Sequence, residues 1–292
     1  MPLRSDPRCL DCFRSGIGVF LGKTGIPPSR ASELLEDYLA RIADAMRSEP
    51  PPVAGAPIYR EIRELASHPD LYREEKAAAT SALVGRMGQL WRMVTGEDDP
   101  FRASLRASTW GNLLDVAQGR DLPGEEELLD LLSTPLALDD TSAFIRAMDR
   151  ASSLLILGDN AGETVLDRLL LEVSGFEGTV HYAVRPEPVL NDAVEADAVD
   201  AGLHRLSTLL DTGYDAPTLV RGRLAPAMES LLDGADLVLS KGQGNFEGLL
   251  GTGDERLYYS LVVKCQVIGE ILGLPVGSGV FVSSTNVPGG YC

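Results

Sequence analysis

Asp159, Asn160 and Glu163 sit together in one short segment, GDNAGE, which follows the apolar run SSLLIL and leads into TVLDRLLLE, a helical pattern. Two further apolar runs end in different chemistry. TVHYAVRPEPVL leads to Asn191 and Asp192, and ADLVLS leads to Lys241, Gly242, Gln243, Gly244, Asn245, Phe246 and Glu247. Asp159, Asn160 and Asp192 together supply hard oxygen ligands without His or Cys, which suits one Mg²⁺ or Mn²⁺ that keeps several waters better than a structural zinc ion. Such an ion would offset two carboxylates and leave positive charge for a phosphate oxygen. Lys241 is the expected second clamp, and Gly242 and Gly244 would let backbone N–H groups approach the same oxygens. Metal activation of water, with charge placed where phosphoryl oxygens transfer, hydrolyses phosphate esters. Asp159, Asp192 and Lys241 are then the catalytic candidates, and the sequence leaves open whether water or a carboxylate, through a phospho-aspartyl intermediate, attacks phosphorus. Glu163, in the first turn, is grouped with the substrate-binding residues.

Each residue also has a plainer reading. Either Asp could cap a helix, and KGQGN could be a flexible turn. Capping does not explain a lysine directly after an apolar strand, so the joint occurrence at three junctions favours a shared site. A methyl-donor site is the competing enzymatic reading, because Gly158 follows a strand. The spacing Gly158 to Gly162 does not match G-x-G-x-x-G, and Asn160 stands where a pyrophosphate would need glycine.

The elements that must position these groups change character near residue 150. Apolar residues Leu34, Leu35, Leu39, Ile42, Ala43 and Met46 recur at helical steps. EPPPVAGAP, positions 49 to 57, reads as a loop. Helices are expected over Tyr59 to Ala66, Arg73 to Val94, Phe101 to Ala117, Glu125 to Leu132 and Ser142 to Arg150. Beyond them SSLLIL, TVHYAV, HRLSTLL, ADLVLS and PVGSGVFV read as strands, alternating with helices that include one over Arg256 to Leu272. Strands alternating with helices imply a Rossmann-like α/β fold, a doubly wound, largely parallel sheet. The expected division is an N-terminal all-helical lobe, 1–150, and an α/β metal- and phosphate-binding core, 151–292. Right-handed crossovers place the strand-end loops along one edge, where ligands collect in such folds.

Composition sets outer limits. A formal net charge of -17 in 292 residues argues against nucleic acid or anionic membrane as a partner, and it requires local positive charge for an anionic substrate. No apolar run is long enough for a bilayer span and MPLRSDPRCLDCF lacks a secretory apolar stretch, so a cytoplasmic protein is expected. Cys9, Cys12, Cys265 and Cys292 are too scattered for a disulfide framework. Cys9 and Cys12 form half of a zinc pattern with no second half; burial against the helical lobe is expected for them, and core burial for Cys265. His68, His181 and His204 are dispersed and suggest no triad. Nothing in the sequence sets an oligomeric state.

GDNAGE with Asp167, PVLNDAVEADA, ADLVLSKGQGNFEGL and KCQVIGEILGLPVGSGV, in this order, resemble the damage-control phosphatases. The likeness extends to CLDC, to Asp99-Pro100-Phe101 and to Gly111-Asn112-Leu113-Leu114-Asp115, and so spans nearly the whole chain. It implies a divalent-metal-dependent phosphatase of small phosphorylated metabolites, such as sugar phosphates or phosphopantetheine-like compounds, in metabolite damage control. Mn²⁺ or Mg²⁺ is the implied cation, with Co²⁺ or Ni²⁺ as substitutes. By motif the metal ligands fall on Asp159, Asn160 and Asp192, and the phosphate-binding lysine on Lys241. Asn112 resembles a further active-site contributor, which would put the pocket between lobe and sheet. The segment RASLRAST departs from the family pattern, so contacts to the leaving group are expected to differ there. Two alternatives accompany this reading: an S-adenosylmethionine-dependent carboxyl methyltransferase, and a non-catalytic sugar-phosphate-binding protein.

Overall fold

The computed structural model describes residues 6–66, 68–113 and 124–288. Leu114, Asp115 and Cys292, and the expected helix beyond residue 113, lie outside them.

Seven strands form one sheet: β1 (Leu138–Asp139), β2 (Ser153–Leu157), β3 (Thr179–Val184), β4 (Thr208–Asp211), β5 (Leu237–Lys241), β6 (Leu257–Val262) and β7 (Gly279–Ser283). Their order is β1-β7-β6-β5-β2-β3-β4, and all neighbours are parallel except β6 and β7. After edge strand β1 the chain enters the middle of the sheet at β2, builds outward to β4, then returns to β5 on the other side of β2. That reversal makes a crevice beyond the carboxyl ends of β2 and β5. The expected doubly wound, largely parallel α/β fold is present.

Side-chain alternation along these strands feeds two apolar layers. Leu155, Leu157 and Val238 face α11 (Pro226–Gly234), α12 (Gln243–Leu249) and α13 (Gln266–Leu272). Leu154, Ile156, Leu237 and Leu239 face the opposite way, towards α6 (Pro100–Trp110), α8 (Thr141–Met148), α9 (Thr164–Ser174) and α10 (Glu195–Ala201). α4 (Arg73–Gly85), α5 (Met87–Thr95) and α7 (Glu125–Ser133) pack with α6 and α9 in a third cluster. A fourth joins α1 (Cys9–Gly22), α2 (Pro28–Ala45) and α3 (Pro51–Leu65). β1 and α8 precede residue 150 yet belong to the sheet layer, through pairing of Leu138 with Val280 and packing of Phe144 on Phe281.

Three expected elements differ from the structure. EPPPVAGAP is not a loop but the first half of α3. Pro50 is extended, at φ -59° and ψ 151°, and Pro51 and Pro52 fill the first helical turn, where an N–H has no helical acceptor. Pro57 does sit inside the helix, with its ring on the exposed face. The expected helix over Arg256 to Leu272 begins as strand β6; every residue from Leu257 to Val262 is buried, so the run has no polar face from which to read a period. Arg73 to Val94 is broken at Arg86 into α4 and α5.

Candidate active site

The crevice is built by four strand ends. Asp159 and Asn160 follow β2, and the loop carrying Asn191 and Asp192 follows β3. That loop is stitched to the first turn along the backbone: Asn160 and Asp192 form an antiparallel bridge, Ala161 N–H donates to Asn191 O at 3.0 Å, and Ala193 N–H donates to Asp159 O at 2.7 Å. The two acidic junctions predicted from sequence therefore meet. Leu190, just before them, is held at φ 48°, a conformation that costs a branched residue free energy and is retained where surrounding contacts overdetermine it.

Asp159 is 7% exposed and Asp192 4% exposed, so each must be held by donors. Asn112 Nδ2 donates to Asp159 Oδ2 at 2.8 Å and to Glu163 Oε2 at 3.0 Å, and Asn160 Nδ2 spans the same two oxygens at 3.1 and 3.2 Å. Asn191 Nδ2 donates to Asn160 Oδ1 at 2.9 Å. Arg185, buried at the end of β3, donates from Nε to Asp192 Oδ2 at 2.7 Å and from a guanidinium nitrogen to Asn245 Oδ1, also at 2.7 Å. Gly242 closes the other side at φ 81°: a Cβ there would lie 2.0 Å from Asp159 Oδ2. The carboxylate thus occupies the space that only glycine leaves open.

Lys241 takes a different place from the one expected. It shares its face of β5 with Leu237 and Leu239, which directs it toward α6 and α9 and away from the cavity. Its Nζ lies 2.7 Å from Glu163 Oε1 and 2.5 Å from Asp167 Oδ1, and donates to Ser108 O at 3.0 Å and Ser108 Oγ at 2.7 Å. An ammonium buried this deeply requires counter-charges. Burial pulls the Lys241 pKa down, but Asp167 and Glu163 outweigh it and the net shift is upward. Glu163 is pushed up to about 7, chiefly by burial and further by Asp167 and Asp159, with Lys241 pulling the other way. Tyr182 donates to Asp167 Oδ2 at 2.7 Å and completes the cluster.

The expected phosphate nest is only partly available. Gly242 N–H is committed to Ser260 O at 2.9 Å, and Asn245 Nδ2 holds the Gly158 and Lys241 carbonyls at 3.0 and 2.8 Å. Gly244 does line the cavity. Asn112, Glu163 and Asn245 are buried braces rather than wall residues. Gly158 and Gly162 serve packing: added Cβ atoms would come 2.8 Å from Tyr182 Cε1 and 3.0 Å from Ala79 Cβ. A methyl-donor cradle gains no support from them.

The cavity itself measures about 510 Å³ and lies between α1, the start of α3 and the sheet edge. Asp159, Asn160 and Asp192 form part of one wall; Arg8, Lys264 and Glu247 also line it, with Phe13, Tyr59, Tyr72 and Leu190 as apolar surface. Cys9, Cys12 and Cys265 line it too. Cys9 is half-buried and packs on the α1–α3 cluster as expected, Cys12 is exposed, and Cys265 is half-buried at the N-cap position of α13, packed on the edge of the first apolar layer instead of inside a helix. Burial pushes the Cys9 thiol up to about 11, so Cys9 is a neutral thiol at physiological pH.

A divalent cation fits the donor set: two carboxylates and an amide oxygen, all hard, on a single wall, with the amides of Asn112 and Asn191 and the guanidinium of Arg185 setting their orientation. No group of three or more His, Cys, Asp or Glu residues suited to a metal occurs among the described residues, so any metal here relies on the Asn160 oxygen. Sequence reasoning missed Arg185, Lys264 and the α1 wall. Arg185 and Lys264 each follow the carboxyl end of a strand, the same signal that identified Asp159.

Comparison with known proteins gives the family and the fold. Residues 5–280 match the model of the damage-control phosphatase ARMT1-like domain. A damage-control phosphatase of Pyrococcus horikoshii is 29% identical over 78% of this chain and 79% of its own, and one of Archaeoglobus fulgidus is 30% identical over 76% and 79%. The crystal structure of a DUF89 family protein from Pyrococcus horikoshii superposes with a TM-score of 0.84, covering 97% of this chain and 99% of that one; at 23% identity this likeness shows the fold.

Proposed function

Because the chain belongs to the damage-control phosphatase ARMT1-like family, we propose that it hydrolyses phosphate monoesters of small metabolites in metabolite repair, with one divalent cation held by Asp159, Asn160 and Asp192. The observation that supports the metal reading best is the backbone bridge between Asn160 and Asp192, which joins two acidic strand ends on one cavity wall. When bound, the cation would supply positive charge to a phosphate oxygen and activate water for attack.

The protein's own groups account for the rest. Asn112 and Asn160 grip Asp159 Oδ2, while Arg185 grips Asp192 Oδ2, so both carboxylates are oriented before substrate arrives. Lys241 balances Glu163 and Asp167 beneath the wall. Lys264 is the cavity-lining cation suited to the remaining phosphate oxygens, which offsets the repulsion an anion meets at a molecule of charge -17; Arg8 also lines the cavity, with its guanidinium held by Asp6 and Glu270. Phe13, Tyr59 and Leu190 exclude water around the leaving group. Sugar phosphates and phosphopantetheine-like compounds are the substrate classes to screen, with Mn²⁺ or Mg²⁺ as cofactor and Co²⁺ or Ni²⁺ as substitutes.

The test is phosphate release from such a panel by chelator-stripped protein, before and after adding each metal. Asp159→Ala and Asp192→Asn are the variants; asparagine is chosen at 192 because alanine would strand buried Arg185. Turnover should require added metal, and each variant should lose at least about 100-fold, the scale of one electrostatic contributor to a transition state, while circular dichroism stays native. Full turnover without metal, or in Asp159→Ala, contradicts the proposal.

A further inference from the structure

Resting on that phosphatase reading, we propose that Glu247 is the general acid that protonates the leaving oxygen of the ester, and that Gln243 selects the carboxyl oxygen that delivers the proton. Both residues lie on α12, immediately beyond Gly242, and both line the cavity that Asp159 and Asp192 line. The Gln243 amide has one orientation available. Its Oε1 accepts from Lys264 N–H at 2.9 Å, so its Nε2 faces Glu247 Oε1, also at 2.9 Å, and Cys265 Sγ at 3.6 Å. An amide that donates to Oε1 leaves the proton of a neutral carboxyl on Oε2.

The surroundings keep that proton in place. Cys9 and Cys12 from α1, Tyr59 from α3 and Cys265 before α13 present thiols and a phenol; Asp11, Asp159 and Asp192 share the cavity and disfavour another negative charge, while Lys264 and Arg8, the latter held by Asp6 and Glu270, favour one. Burial prevails, only partly offset by the Gln243 hydrogen bond, and pushes Glu247 up to about 7. A carboxyl poised there gives up a proton readily at neutral pH and recovers it from solvent.

The step balances. Water attacks phosphorus and releases a proton to solvent; the P–O ester bond breaks with its electron pair on the leaving oxygen. Glu247 Oε2–H donates to that oxygen, giving the free alcohol and inorganic phosphate, and the carboxylate is reprotonated from solvent.

Alkyl leaving groups need this proton far more than nitrophenolate does. Glu247→Gln should therefore lower kcat about 100-fold or more on an alkyl phosphate such as ribose 5-phosphate, yet only several-fold on p-nitrophenyl phosphate, with Mn²⁺ present in both assays. In the wild type, kcat/KM for the alkyl ester should fall as pH rises through about 7, to which burial raises this acid, and this limb should be absent from the variant. Glu247→Asp, which keeps an acid at shorter reach, should recover part of the alkyl turnover. Equal losses on both esters, or none on either, overturn the inference while leaving the phosphatase reading intact. A wild type inert toward both esters overturns that reading, and the inference with it.

Discussion

At the scale of single residues, the placement of Lys241 separates two accounts of its role. A phosphate clamp at the cavity wall would tolerate an apolar replacement with native stability and a raised KM. The structure instead surrounds its ammonium with Glu163, Asp167 and Ser108, all buried. Removing one partner of such a group leaves uncompensated charge, so Lys241→Met is expected to cost about 3–5 kcal/mol in urea denaturation. A loss under about 1 kcal/mol, within the ordinary range for surface ion pairs, would show that the cluster does not depend on it. Sequence alone showed that a lysine after an apolar strand was unusual, but not which way it turned. Its direction follows from strand register, which places Lys241 on the face of Leu237 and Leu239.

At the scale of elements, the β5–α12 turn illustrates how backbone geometry defines the site. Gly242 adopts φ 81° and ψ 159°, a region essentially reserved for glycine, and lies directly against the Asp159 carboxylate. Gly242→Ala should destabilise the fold by about 1–3 kcal/mol from backbone strain and, by displacing Asp159, should weaken Mn²⁺ binding measured by calorimetry. Unchanged metal affinity would argue that Asp159 is not a ligand. The strands that end in chemistry were legible because each is short, apolar and bounded by turn residues, as in SSLLILGDN. β6 was not, since LYYSLV is buried on both faces and carries no alternation. α3 was hidden for a different reason: three prolines signal a break within a helix but serve as a start at its first turn, and only the extended Pro50 distinguishes the cases.

At the scale of the molecule, α1 and α3 close over the crevice between the β2 and β5 ends and make a cavity of about 510 Å³ from what the sheet alone would leave open. This layering was the least legible part of the sequence. Cys9 and Cys12 lie about 150 residues before the acidic turn they face, and no spacing rule links them. No helix among the described residues is long and apolar enough to cross a membrane. The central claim, that Asp159, Asn160 and Asp192 share one cation, is most directly tested by anomalous diffraction near the manganese edge from crystals soaked in Mn²⁺. The expected result is one peak within about 2.0–2.3 Å of oxygens from both carboxylates and Asn160, the range of oxygen ligation to small divalent ions. A peak at the thiols of Cys9, Cys12 and Cys265, or none on the wall that carries Asp159 and Asp192, would contradict the account.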